Sequence, residues 1–204
     1  MSPTWNTLNA ATGGLSAPGK MPGPAWSIPA ESCGIGSLLR KVAGSPCSSC
    51  YALKGRYYYP NVKAALVRRL AVWKADRAQW REAMVASILK QKHKVTHFRW
   101  FDSGDIQGPE MLADIIRIAR ALPDVSFWLP SQEHALVRRA SKLPPNLIIR
   151  LSSPKVGKAL APGFPSSSVE GEGFKCPAST QDNKCGDCRA CWNPKIERIS
   201  YVKH

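Results

Sequence analysis

The 204-residue sequence contains no run of about 18 apolar residues, which excludes a transmembrane helix of ordinary length. Met1 to Lys20 is rich in Thr, Asn, Gly and Pro and lacks an apolar centre, so no secretory signal is expected. The expected location is therefore the cytoplasm, that of the host if the chain is phage-encoded, with no membrane partner. Acids are scarce, with 14 against 29 Lys and Arg, which leaves a formal charge of +15. Histidine is scarcer still, with four in the chain and none close in sequence to the first three cysteines. A hydrophobic fraction of 44% argues against disorder and provides for one substantial core.

An excess of positive charge favours polyanionic partners through counterion release. Between Lys54 and Lys94 there are eleven Lys or Arg residues and two acids, Asp76 and Glu82. Lys54, Arg56, Lys63, Arg68 and Arg69 are the candidate phosphate contacts, with nucleic acid as the expected partner. Tyr57, Tyr58 and Tyr59 stand among them. Such tyrosines either stack on bases or pack against a neighbouring helix.

Residues 1–31 are dense in Pro and Gly and read as an extended arm or loop with one short strand at most. Helical periodicity begins at Pro60-Asn61, where Val62, Leu66, Leu70 and Trp73 form a stripe, and resumes over Arg77–Gln91. Thr96–Asp102 reads as a strand and Pro109–Leu122 as a helix. Val125–Leu129 follows as a strand, Gln132–Lys142 as a helix and Asn146–Ser152 as a strand buried on both faces. Residues 154–175 read as loop, and Arg198–Lys203 as a final strand. This alternation predicts an α/β fold, either a partial (β/α) barrel or a related parallel sheet. The expected organisation is a cluster-binding domain over 1–153 and a Cys-rich extension over 154–204 packing on it. Chemistry in such folds collects at the carboxyl ends of strands, here Asp102–Asp105, Pro130–Glu133 and Ser152–Lys155.

Seven cysteines without a secretion signal point to metal or redox use rather than disulfides. They divide into three and four. Cys176, Cys185, Cys188 and Cys191 have the spacing C-x8-C-x2-C-x2-C, which lets four thiolates converge on one centre. Four thiolates suit a [4Fe–4S] cluster or tetrahedral zinc, and the tight triplet is nearer to ferredoxin spacing. Cys47 and Cys50 form a C-x2-C pair, with Cys33 fourteen positions before Cys47. Three thiolates without a fourth ligand would leave one iron of a [4Fe–4S] cluster open. A redox-active C-x-x-C pair is the simpler alternative. Asp102 and Asp105 are candidate acid/base groups or, more plainly, a turn and helix cap. Arg150 lies within an apolar strand and needs a partner, for which Asp102, Glu133 or a bound carboxylate qualify.

The stretches GSPCSSCYALKGRYYYPNV, FRWFDSGDIQ and NKCGDCRACW resemble the phage and prophage family called gene product 88, over nearly the whole chain. More distantly, the layout is similar to radical S-adenosylmethionine enzymes. These hold a cluster on three cysteines near the start of a partial barrel, and many add a cysteine-rich extension with an auxiliary cluster. The usual spacing there is C-x3-C-x2-C, whereas this chain has C-x13-C-x2-C. The resemblance implies S-adenosylmethionine as a cofactor at the Cys33/Cys47/Cys50 cluster, reductive cleavage of its carbon–sulfur bond, and an electron donor as partner. Ser103, Gly104 and Asp105 would then receive the cofactor's ammonium, and Arg150 its carboxylate. The rival expectation is a non-catalytic iron–sulfur or zinc protein that binds nucleic acid.

Overall fold

The computed structural model describes residues 3–91 and 93–203. Its frame is an open sheet of seven strands in the order β1-β2-β3-β4-β5-β7-β6, and every neighbouring pair is parallel. The strands are β1 (Ala25–Trp26), β2 (His97–Trp100), β3 (Ser126–Ser131), β4 (Leu147–Ser152), β5 (Ser166–Val169), β6 (Phe174–Lys175) and β7 (Arg198–Tyr201). Of the two architectures expected, this is the parallel sheet. Residues 154–204 supply three of its strands in addition to the cysteine-rich loop.

The helices are α1 (Trp5–Thr12), α2 (Ile35–Leu39), α3 (Pro60–Ala75), α4 (Arg77–Leu89), α5 (Pro109–Ala121) and α6 (His134–Arg139). Proline opens α3 and α5, where its missing N–H costs nothing. Thr4 caps α1 by accepting from the Thr7 amide, and Asp76 caps α4 by accepting from Gln79. At the far end of α5, Asn146 donates to the carbonyls of Ala119, Leu122 and Val125, each at 2.9 Å.

Strand alternation sorts the side chains onto two faces. Phe98, Trp100, Phe127, Leu129, Leu147 and Ile149 enter the main core with Trp26, Trp80, Met84 and Ile115 from β1 and the helices. Burial of each such side chain stabilises by roughly 1.5–3 kcal/mol. Trp128 and Ile199, which point the other way, form a second cluster with Ala190, Cys191 and Trp192. The cysteine-rich segment therefore roofs the sheet face opposite the main helical layer.

Two expectations need correction. The arm 1–31 contains the helix α1, whose only buried residues are Leu8 and Thr12. The loop over 154–175 contains β5 and β6. Ser166, Ser167 and Ser168 are buried in β5 because their backbone pairs with β4 and β7, not because the side chains are apolar.

Candidate metal centres

The first cysteine loop is tied to the carboxyl edge of the sheet. Glu133, just past β3, accepts from the Ile35 amide at 2.8 Å, and Gln107 donates to the Ser32 carbonyl at 3.0 Å. The Ser45 hydroxyl accepts from the Cys47 amide, and the Cys50 amide donates back to the Cys47 carbonyl. Gly36 lies between two of the thiols. A Cβ there would stand 3.0 Å from Cys33 Cβ, 3.6 Å from Cys33 Sγ and 3.9 Å from Cys47 Sγ. Burial, then Asp105, then the Cys50 and Cys47 thiols push Cys33 up to about 12. Cys47 is raised for the same reasons, with burial first and Cys50 next. Crowded, half-buried thiols of this kind are poor free thiolates, and a bound cation removes the repulsion between them. Three crowded thiols are soft donors, the ligand type that thiolate-held metals take.

The Ser103-Gly104-Asp105 turn follows β2. Gly104 has φ +82°, and a Cβ there would stand 2.7 Å from the Ile28 carbonyl oxygen, so only glycine lets the turn close on β1. Asp105 is buried. Its carboxylate accepts from the Ser131 hydroxyl at 2.7 Å and from the Ile106 and Gln132 amides, both at 2.8 Å. Burial outweighs these donors and raises its pKa to about 7. Ser103 is also buried. Its carbonyl accepts from Ile28, while its hydroxyl has no partner among the described residues. Asp102 is differently engaged. Its carboxylate accepts from Ser27 and, at 3.1 Å, from Tyr57, and its carbonyl accepts from Tyr51 at 2.5 Å. Asp102 thus fastens the segment after Cys50 to the sheet. A cavity of about 260 Å³ opens beside it, lined by Ser16, Tyr57, Asn61 and Arg69 among others.

The four C-terminal cysteines gather on the opposite sheet face. The Cys176 amide donates to Ser200 in β7, the Cys185 amide to Lys20, and the Cys188 amide to Cys185. Burial raises the Cys185 thiol, with Cys176 and Cys188 adding to it. Burial pushes Cys191 to about 11, against the Tyr201 hydroxyl 3.2 Å from its sulfur. Among the described residues, no three His, Cys, Asp or Glu side chains in either group stand close enough to share one metal ion. A cubane takes its thiolates at separate iron corners, so it asks for a wider spacing than one zinc ion does.

Arg150 is corrected in its role. Among the described residues it pairs with no carboxylate, and its donors are directed to the roof. Nε donates to Cys191, Nη1 to Ile196 and Glu197, and Nη2 to Ala190 and Asn193, all backbone carbonyls within 3.2 Å. Five N–H groups are thereby satisfied, and none is left for a cofactor carboxylate. Arg150 lies inside β4, and alternation turns its side chain toward the roof.

Arg99, on the same face, is absent from the candidates read in the sequence. It is buried, and its guanidinium lies 4.5 Å over the Trp128 ring and donates to the Tyr51 hydroxyl at 3.4 Å. The signal available was the one that singled out Arg150, a cation in the middle of an aromatic strand.

The basic set divides. Lys54, Arg56 and Lys63 are exposed, and Lys63 Nζ lies 4.3 Å over the Tyr58 ring. Arg68 is exposed but donates to the Gly13 carbonyl. Arg69 is buried and donates to Gly14 at 2.7 Å, which removes it from the solvent face. Both arginines hold carbonyls at the C-terminal end of α1, where cations are favoured. No helix among the described residues is long and apolar enough to cross a membrane.

No curated protein and no solved structure matches the chain. A family model does match, over residues 6–161, so it spans the three-cysteine loop and β1 to β4 and ends before Cys176. On that match the chain belongs to the gene product 88 family.

Proposed function

We propose that this chain is a two-cluster iron–sulfur protein of radical S-adenosylmethionine-like type. Cys33, Cys47 and Cys50 would hold an open-site [4Fe–4S] cluster, and Cys176, Cys185, Cys188 and Cys191 an auxiliary one. The observation that carries the reading is the attachment of a three-thiol loop to the carboxyl edge of a parallel sheet, with Asp105 acting on Cys33 from the strand end. When bound, such clusters supply one-electron chemistry, and a cluster with three thiolates leaves one iron position open to a ligand.

The chain's own residues have definable tasks in this reading. Gly36 keeps the space between Cys33 and Cys47 clear. The carboxyl of Asp105, poised near neutrality, can accept or share a proton beside the site. The Ser103 hydroxyl, buried and without a partner among the described residues, would accept from a ligand's ammonium. With Arg150 directed elsewhere, the carboxylate of such a ligand must be met by the open iron or by another cation.

The test is metal and sulfide analysis after anaerobic preparation and reconstitution. About eight irons per chain are expected for two [4Fe–4S] centres. Colourless protein with stoichiometric zinc would remove the cluster assignment. The cofactor is tested separately, by electron paramagnetic resonance of the reduced protein with and without S-adenosylmethionine and by chromatography for 5′-deoxyadenosine. An unshifted spectrum and no cleavage product from a fully loaded protein would leave the clusters and remove the radical mechanism.

A second reading, a nucleic-acid-binding iron–sulfur or zinc protein, is favoured by one specific observation. From Ser32 to Ala75 there is no acidic residue, and Lys54, Arg56, Lys63, Tyr58 and Tyr59 of this stretch are exposed together. The two readings are compatible on one chain, since the basic stretch encloses the first cysteine loop.

A further inference from the structure

Arg69 is 8% exposed, yet its guanidinium is largely unspent. Nε donates to the Gly14 carbonyl at 2.7 Å, and neither Nη1 nor Nη2 has a partner among the described residues. A cation this deep is costly to leave with its donors unmet. Arg69 lines two cavities, of about 450 Å³ and about 260 Å³, and is common to both.

Close packing fixes it there. Gly13 ends α1 with φ +72°, and a Cβ there would stand 2.7 Å from the Arg69 Cα, so only glycine lets α3 come this near the end of α1. On α3, Asn61, Ala65 and Arg69 recur at four-residue steps and share one face. With Leu66 they form a wall of the smaller cavity, and Asp102, just past β2, lines the same space. Among the described residues no ion pair joins Asp102 to Arg69. Ser27 and Tyr57 donate to one carboxylate oxygen each, which leaves further acceptor positions open. The same carboxylate acts through space on both Arg69 and Arg99. Two buried guanidiniums thus share one acid, and exposed Arg68, on the larger cavity, adds a third positive charge. The lining is short of an anion at one end and of a donor at the other.

We propose that the cavities at Arg69 bind a small phosphorylated sugar, either free or as a nucleoside monophosphate. The phosphate takes the free Nη donors of Arg69, whose planar fork suits phosphate oxygens. Its charge of roughly −1.5 to −2 at pH 7 exceeds that of a carboxylate and matches Arg68 and Arg69 together. Asp102 can only accept, so the far end of the ligand must donate, as sugar hydroxyls do. The carbon skeleton lies along Ala65 and Leu66. No cysteine takes part, and the site neither needs a metal nor rests on the cluster reading.

The experiment is isothermal titration calorimetry of the full-length protein with D-ribose 5-phosphate, AMP, ribose, inorganic phosphate and gluconate, with thermal midpoints measured alongside. Ribose 5-phosphate or AMP should bind about tenfold or more tightly than the other three, which lack one end of the ligand or carry a carboxylate in place of the phosphate. The ratio between these two tells a free sugar phosphate from a nucleotide. Arg69→Met should abolish the preference. Ala65→Leu fills the cavity from a half-buried helical position, leaves every charged group in place, and should weaken binding about tenfold or more. If R69M does not fold, A65L decides alone. Neither heat nor a midpoint shift with ribose 5-phosphate or AMP at millimolar concentration would overturn the site. So would phosphate or gluconate binding as tightly as they do. Affinity unchanged in A65L would overturn it too, and would move the ligand to the exposed basic face.

Discussion

The Nε of Arg150 donates to the Cys191 carbonyl at 3.0 Å, which pins the last cysteine of the C-terminal group to the middle of the sheet. The other four N–H groups of the same guanidinium hold carbonyls between Ala190 and Glu197. The roof over this sheet face is therefore organised by one buried cation. Arg150→Met is expected to leave several buried carbonyls without donors and to destabilise by about 3 kcal/mol or more. Iron should be lost from the C-terminal site first. Chemical denaturation with iron analysis checks this, and full iron at both sites in R150M would contradict it.

Gly36→Ala separates folding from metal uptake. Gly36 is helical and has an ordinary φ, so helix propensity alone favours alanine there by up to about 1 kcal/mol. The added methyl nevertheless enters the space between Cys33 and Cys47. The 3.0 Å approach to Cys33 Cβ offsets that gain, so apoprotein stability is expected to change by less than about 1 kcal/mol while iron at the three-cysteine site falls and the C-terminal site stays loaded. Denaturation midpoints and iron per chain are the two readouts.

Asp105 has a pKa near 7 in the folded chain, raised by burial from the ordinary carboxyl value. The folded state then binds a proton that the unfolded state has released over the interval between about pH 4 and pH 7. Its stabilising contribution is complete below the unfolded pKa and is lost as pH rises through 7. The loss is on the order of a few kcal/mol. Urea denaturation of the apoprotein across this window should show stability falling with pH, and the slope should shrink in Asp105→Asn.

Asp114 anchors three helices from the middle of α5. It is fully buried and accepts from Arg77 and Arg81 at 2.8 Å and from the Trp73 indole at 3.1 Å. Burial works against its ionised form, but Arg77, Trp73 and Arg81 together hold its pKa below the ordinary carboxyl value. Asp114→Ala is expected to cost about 3 kcal/mol and to lower the thermal midpoint without altering metal content in the protein that remains folded.

Neutral Gln at Lys54, Arg56 and Lys63 tests the basic face. If each meets one phosphate, the slope of log affinity against log salt for single-stranded DNA should fall by about 2, from about 0.7 per contact. Arg69→Gln should leave that slope unchanged, because Arg69 is buried against Gly14. A slope indifferent to the triple replacement would rule out this face as the binding surface.

Much of the central fold was legible because periodicity and burial agreed there. Leu66 and Trp73 recur on one side of α3, Leu112, Ile115 and Ala119 on one side of α5, and all are buried as the pattern required. The helix α1 escaped because its eight residues carry no apolar stripe, and Gly and Pro dominate the segment between it and β1. The serines of β5 escaped because a strand can be held by its neighbours' backbone alone.

The cysteine spacings by themselves determined two groups, one of three and one of four, since x2 gaps bring thiols together with local chain geometry. Aromatic and β-branched runs likewise determined β2, β3 and β4 and their carboxyl ends. Only the tertiary structure decided how the cations inside the strands are engaged. Arg99 and Arg150 are 51 residues apart in sequence and look alike as charges inside apolar strands. Both face the cysteine-rich roof, because strand alternation places Phe98, Trp100, Ile149 and Leu151 against the helices and turns the residues between them the other way. Arg150 then meets backbone carbonyls and is saturated. Arg99 meets the Trp128 ring, the Tyr51 hydroxyl and the Phe101 carbonyl, and its Nε is left without a partner among the described residues. That difference depends on how segments more than a hundred residues apart cover the sheet, as Tyr51 and Tyr201 do around Arg99, and no local pattern encodes it.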